Sequence, residues 1–219
     1  MEPTPYQLGR SRLEERAKNK IIGWEMTPDE ALAFFKSQGK TVLSFFGYSG
    51  NQYEDVGRML DVADRVMFQH SPEHTLINIG ATETGIGAIY RMAKSKGFIT
   101  TGIVSEMALQ YPDDISEMVD FICFIKDTQW GGKMKDSDEL SPTSRAMVLC
   151  SDILIGIGGG EVSRDEMMAG KEMGKSVRFY PAEANHEVTI RRATKLGQPK
   201  PESFWGAAHD VFNDKENWE

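Results

Sequence analysis

Carboxylates stand close behind a run of glycines in this sequence. Gly156, Gly158, Gly159 and Gly160 follow the apolar Ile153-Leu154-Ile155, and Glu161, Asp165 and Glu166 come next. Glycine is needed where the backbone takes positive φ or where another group must come close. A carboxylate beside such a turn can cap a helix. It can also work on a bound molecule, by activating water or by steadying an oxocarbenium-like centre. Glu161 lies in the turn itself. Glu166 falls in the first turns of the following helix, where it also suits the positive end of the dipole. Arg91, Arg145 and Arg164 are candidate anion partners, because an arginine beside a glycine turn suits bidentate phosphate binding.

Two further turns share this character. One runs from Gly80 through Thr82, Thr84 and Gly85 to Gly87, and the other is Gly47-Tyr48-Ser49-Gly50. A helix start preceded by glycines offers free N–H groups and lets a phosphate approach. Thr82 and Thr84 add hydroxyl donors. One such turn is explained by tight packing alone. Their recurrence after successive strands points to a phosphorylated or sugar-like ligand. Ser163 lies beyond Gly158, Gly159 and Gly160, within reach of the same ligand. Trp130, in the long stretch "TQWGGKMKDSDELSP", either stacks on a base or anchors its loop. Asn185-His186-Glu187 either lines the crevice or starts a helix.

Three better-known motifs are incomplete. The dinucleotide fingerprint starts at Gly156-Ile157-Gly158 but has Glu161 where its third glycine belongs. Residues 80–85 have P-loop glycine spacing but continue Ile86-Gly87, without the lysine and hydroxyl that hold phosphate and magnesium. His70 and His74 are separated by Ser71-Pro72, which breaks a helix, so no metal site is expected.

The elements that would position these residues alternate. Thr27-Pro28-Asp29-Glu30 reads as a capping box opening a helix. Strands are expected over residues 41–47, 75–80, 98–104, 121–127, 153–158 and 176–182. Helices are expected between them, including one near 105–118 with less defined edges. This pattern is an α/β fold: a Rossmann-like parallel sheet with helices on both faces, and ligands beyond the carboxyl ends of the strands. Residues 1–40 are expected to form an N-terminal arm and helix, with a short helical piece near 10–20. Residues 41–182 form the Rossmann-like nucleotide-binding domain, and 183–219 a helical tail packed on it.

The totals restrict the function. A chain of 219 residues with a formal net charge of -8 lacks the broad cationic surface of a nucleic-acid binder. No apolar run approaches a membrane span, and the first residues lack the apolar core of a signal peptide, so a cytoplasmic location is expected. Cys123 and Cys150, each inside an apolar run, read as buried reduced thiols.

The order of the turns resembles the SLOG superfamily. That group includes the lonely-guy phosphoribohydrolases, the proteins often labelled lysine decarboxylases, and molybdenum-cofactor carrier proteins. "FFGYSG" occupies the place of the family's first Gly-Ser turn, and "INIGATETGIGAIYRMAKSKGFITTGIV" runs parallel to its second glycine turn and following strand. Residues 158–166, "GGGEVSRDE", fit the family's P-G-G-x-G-T-x-x-E. Gly158 stands for the proline, Val162 for the third glycine and Ser163 for the threonine. The resemblance spans roughly residues 42–181. It implies that Glu166, with an arginine on the preceding helix at or near Arg145, carries catalysis. It also implies a homo-oligomer, with residues 53–70 a possible face, and it indicates no pyridoxal-phosphate lysine and no other cofactor. The main expectation is a nucleotide-like phosphorylated ligand whose N-glycosidic bond is hydrolysed, with Glu161 assisting Glu166. The alternative is a non-catalytic nucleotide or cofactor carrier or sensor on the same fold.

Overall fold

The computed structural model describes residues 22–213. The helical piece expected near residues 10–20 lies outside the described residues. The strands are β1 (Ile22–Met26), β2 (Thr41–Gly47), β3 (Thr75–Ile79), β4 (Ile99–Ser105), β5 (Phe121–Ile125), β6 (Ile153–Ile157) and β7 (Ser176–Tyr180). They form one sheet in the order β1-β5-β4-β3-β2-β6-β7, and every pairing is parallel. The helices are α1 (Pro28–Ser37), α2 (Val56–Met67), α3 (Ile89–Ser95), α4 (Pro142–Cys150), α5 (Glu161–Glu172), α6 (His186–Lys195) and α7 (Ala207–Phe212). The Rossmann-like α/β architecture is therefore the observed one. Among the described residues no helix is long and apolar enough to cross a membrane.

Strand side chains alternate between faces with period two, and β2 shows what this does. Leu43 and Phe45 enter one apolar cluster with Met59, Val62 and Val66 of α2 and Ile89 and Tyr90 of α3. Val42 and Phe46 enter the other, with Ala31 and Phe35 of α1, Met147 of α4 and Met167 of α5. Both faces are covered, which explains the nearly continuous apolar runs of β2, β3 and β6. Each large apolar side chain buried here contributes roughly 2 kcal/mol.

Local signals set the helix starts. Thr27 and Glu30 make the expected capping box: the Thr27 amide donates to Glu30 Oε2 at 2.7 Å, and the Glu30 amide donates to Thr27 Oγ1 at 3.3 Å. Asn185 accepts from the Val188 amide at 2.9 Å, so Asn185-His186-Glu187 is a helix start.

Two elements differ from expectation. β1 pairs with β5, so among the described residues the sheet includes Ile22–Met26, ahead of Thr41. Residues 106–114 form short 3-10 turns, Glu106–Gln110 and Pro112–Asp114, in place of a longer helix. Connections from β2 run outward through β3, β4 and β5, then return to the other side of β2 as β6 and β7. The reversal lies between β2 and β6, where ligands of such sheets are expected.

Candidate functional site

A cavity of about 640 Å³ opens beyond the carboxyl ends of β2, β3 and β4. Gly47, Ser49 and Gly50 reach it from the turn after β2. Gly80, Thr82 and Thr84 reach it from the turn after β3, and Val162, Ser163 and Glu166 from α5. Three stretches far apart in sequence thus share one rim.

The turn after β3 is clamped to the turn after β2. The Ile86 amide donates to the Tyr48 carbonyl at 2.7 Å, and Thr84 Oγ1 donates to the Ser49 carbonyl at 3.5 Å. Gly85 has φ +61°, and a Cβ there would lie 2.1 Å from the Tyr48 carbonyl oxygen. A Cβ on Gly87 would lie 1.9 Å from the Thr82 carbonyl oxygen. Neither glycine lines the cavity: both were expected to meet a ligand, and both meet the chain's own backbone instead. Between them and β3, Ala81 holds φ 57°, which costs a non-glycine residue roughly 1 kcal/mol. Its amide donates to the Tyr90 hydroxyl at 3.1 Å and its carbonyl accepts from Ser116 at 2.9 Å, which fixes that conformation at the cavity wall.

The turn after β6 is covered from behind. A Cβ on Gly158 would lie 2.6 Å from the Ala182 carbonyl and from the Tyr48 ring. The Gly159 carbonyl accepts from the Ala208 amide at 3.2 Å. Tyr48 Oη accepts from the Gly206 amide at 2.7 Å and donates to the Ala182 carbonyl at 3.2 Å. Gly158, Gly159 and Gly160, expected as ligand contacts, are not among the residues that line the cavity. Ser163 does, and its Oγ donates to the Gly47 carbonyl at 3.2 Å. The N-terminal turn of α5 therefore stands at the rim, with its free amides and positive dipole end.

Glu166 is only 6% exposed, and Ser144 Oγ donates to its Oε1 at 2.6 Å. Ser144 Oγ also accepts from the Gly132 amide at 2.7 Å. Burial raises the Glu166 carboxyl to about 8, against the pull of the Ser144 hydrogen bond and helped by the nearby Asp165 charge. At neutral pH the group is mainly the neutral acid, a hydrogen-bond donor. Asp165 points elsewhere: Arg164 grips its Oδ1 through Nε at 3.0 Å and a terminal nitrogen at 2.9 Å.

The other expected catalytic groups lie apart from Glu166. Glu161 is exposed in the first turn of α5 and does not line the cavity. Arg145 is 57% exposed and faces Asp29 of α1 at 3.7 Å. Successive residues of a helix are turned about 100° from each other. On α4 that geometry gives Ser144, not Arg145, to Glu166. Arg91 is exposed on α3, also off the cavity wall.

The loop between β5 and α4 is built by its own polar groups. Buried Asp127 accepts from the Gln129 and Thr143 amides, each at 2.9 Å, so one carboxylate opens the loop and caps α4. The Ser141 amide donates to the Gly132 carbonyl at 2.8 Å. Gly131 and Gly132 lie against Val162, which brings Trp130 to the cavity mouth. Trp130 is 52% exposed, with its ring centroid 5.8 Å from that of Tyr111, also 52% exposed and also lining the cavity.

Tyr111 and Arg192 were not foreseen. The Tyr111-Pro112 pair was the available signal, because a residue before proline is disfavoured in a helix. Arg192, on α6, lines the cavity and donates from its guanidinium to Asn51 Oδ1 at 2.7 Å. Among the described residues it is the one cationic side chain lining the cavity, and nothing in the local sequence separates it from Arg191. Cys123 and Cys150 are both buried, and burial pushes each thiol up to about 12, which leaves them unreactive.

No protein-family model matches this sequence, and no curated protein matches it. Among solved structures, the chain is similar to the molybdenum cofactor carrier protein from Chlamydomonas reinhardtii. One structure of that protein gives 18% identity and a TM-score of 0.47, covering 72% of this chain and 85% of that one. A second gives 19% identity and a TM-score of 0.46, covering 72% and 84%. DNA processing protein A from Streptococcus pneumoniae is similar at 12% identity and a TM-score of 0.45, over 81% of this chain but 62% of that one.

Proposed function

We propose that this chain holds a small phosphorylated molecule bearing a flat heteroaromatic ring, a nucleotide-like ligand, and acts as its carrier or sensor. The observation that carries this reading is the meeting of two kinds of surface in one cavity. Ser49, Thr82, Thr84, Ser163 and the start of α5 supply hydroxyls and amides suited to phosphate or sugar oxygens. Tyr111 and Trp130 supply aromatic faces at the mouth, suited to a ring. Glu166, as a neutral acid, donates a hydrogen bond to a ring nitrogen or carbonyl.

Binding without turnover is supported by the position of Glu166 apart from its expected partners in hydrolysis, Glu161 and Arg145. A neutral acid does not steady a cationic sugar centre and does not take a proton from water. Hydrolysis of an N-glycosidic bond is the second reading, favoured by the presence of Glu166 on the cavity wall, where a protonated carboxyl acts as general acid on the leaving base. The motif order shared with the SLOG superfamily is compatible with both.

Mass spectrometry of small molecules released from the purified, denatured chain tests the first reading, alongside incubation with nucleoside 5′-monophosphates and chromatography for free base. A retained or added monophosphate that binds without base release supports the carrier. Free base establishes the hydrolase. The absence of any bound or binding nucleotide overturns both. Trp130→Ala is expected to weaken binding about tenfold or more, the loss of one stacking face, with little change in melting temperature because the ring is half exposed.

A further inference from the structure

The cavity carries charge unevenly. Its lining includes two acidic side chains, Asp114 and Glu166, and one cation, Arg192. The other charged arginines near the site are occupied: Arg164 by Asp165 and Arg145 by Asp29. Among the described residues Arg192 has a neutral partner, Asn51, and no carboxylate partner. Its guanidinium lies beside Gly50, where a Cβ would come within 2.7 Å of a terminal nitrogen. Gly50 follows Ser49, whose carbonyl accepts from Thr84, so Arg192, the turn after β2 and the turn after β3 form one contiguous group. Tyr111, from the connection after β4, and Trp130, from the loop before α4, belong to a different group.

We propose that Arg192 is the anchor for the ligand's phosphate, and that it fixes the ligand's direction in the cavity. The phosphate lies against Arg192, Ser49 and Thr84, and the ring extends toward Tyr111 and Trp130. This deepens the proposed function and rests on it. The reasoning is electrostatic. A phosphate brought into a partly enclosed cavity needs a counter-charge, and the Asp114 carboxylate on this wall works against it. A guanidinium also offers a fork of donors that matches two phosphate oxygens. Its bond to Asn51 uses one terminal nitrogen and leaves other donors of the fork for a ligand. The assignment makes α6, which follows the last strand, a working part of the site.

Calorimetric titration of the full chain with adenosine, guanosine, cytidine and uridine, and with their 5′-monophosphates, tests this. For whichever base binds best, the wild type is expected to prefer the monophosphate to the nucleoside. Arg192→Ala is expected to lower monophosphate affinity about tenfold, the size of one charge-assisted hydrogen bond, and to leave nucleoside affinity unchanged. Arg192→Lys is expected to keep part of the preference, as a point charge without the fork. Asn51→Ala removes the same internal bond but keeps the cation, so it controls for a purely structural role and is expected to retain the preference. If Arg192→Ala leaves the preference intact, or weakens nucleoside and monophosphate equally, the anchor assignment is overturned while the ring-binding reading stands. If the wild type binds neither form of any base, the proposed function falls, and the anchor with it.

Discussion

The turn after β3 and the turn after β6 look alike in sequence and serve different ends. Each follows a buried strand, carries several glycines and leads toward a helix. The first opens on the cavity through Gly80, Thr82 and Thr84. The second has Gly158 against Tyr48 and Ala182, and Gly159 bonded to Ala208. Even in the first turn, Gly85 and Gly87 face the chain's own carbonyl oxygens. A glycine marks a place where a Cβ would collide. It does not say whether the colliding group is a ligand or another stretch of backbone. In both turns the residues left facing the cavity include hydroxyl side chains, Thr82 and Thr84 in one and Ser163 beyond the other.

The sharpest way to break this comparison is Gly85→Ala. The substitution places a methyl against the Tyr48 and Ser49 carbonyls and demands φ +61° of a non-glycine residue. A loss of about 4 kcal/mol in unfolding free energy is expected in urea titration. A near-neutral result would show that this glycine does not serve the clamp between the turns.

Glu166 gives a smaller effect with a definite sign. Its carboxyl is raised in the folded chain from an ordinary 4.5 to about 8. Below that ordinary value the group is neutral in both states. As pH rises through the interval, the unfolded chain ionises first and the folded chain loses stability, on the order of 4 kcal/mol by about pH 8. Glu166→Gln is expected to remove this slope from chemical denaturation curves taken across that range. It should also keep ligand binding, since an amide replaces the neutral acid as donor, whereas wild-type binding should weaken above about pH 8. A wild-type slope equal to that of the variant would show that Glu166 is ionised in the folded chain.

Tyr48→Phe is expected to have the smallest effect. It removes the hydroxyl that joins Gly206 to Ala182 behind the second turn, costing about 1 kcal/mol in thermal or urea unfolding. Because this contact lies on the covered side, ligand affinity should stay within about twofold by calorimetry. A large loss of affinity would mean that the segment over Gly159 governs the rim after all.

Legibility followed the range of the interactions involved. Thr27 and Glu30 announced α1 because a capping box is complete within four residues. The apolar runs of β2, β3 and β6 announced a two-faced sheet for the same local reason. β1 was silent because "IGWEM" lies at the sheet edge, where Gly23, Trp24 and Glu25 are exposed and no burial pattern is imposed. Glu166 was recognisable by its place behind the glycines, but the Ser144 hydrogen bond that holds it was not, since that bond spans two helices. Arg145 drew attention by type and position, yet one residue's rotation on α4 turns it to Asp29.

The amino-acid sequence by itself determined the alternation of strands and helices, the parallel sheet and the three small-residue turns at the strand ends. These depend on burial periodicity, caps and backbone sterics, all of which act between near neighbours. Only the tertiary structure decided which sides of those turns are covered, that the Glu166 carboxyl is buried against Ser144, and that Arg192 and Tyr111 share a cavity with Ser49 and Trp130. Those outcomes depend on which distant segments displace water from a given atom, and that is set once the whole sheet and its two helical layers have assembled.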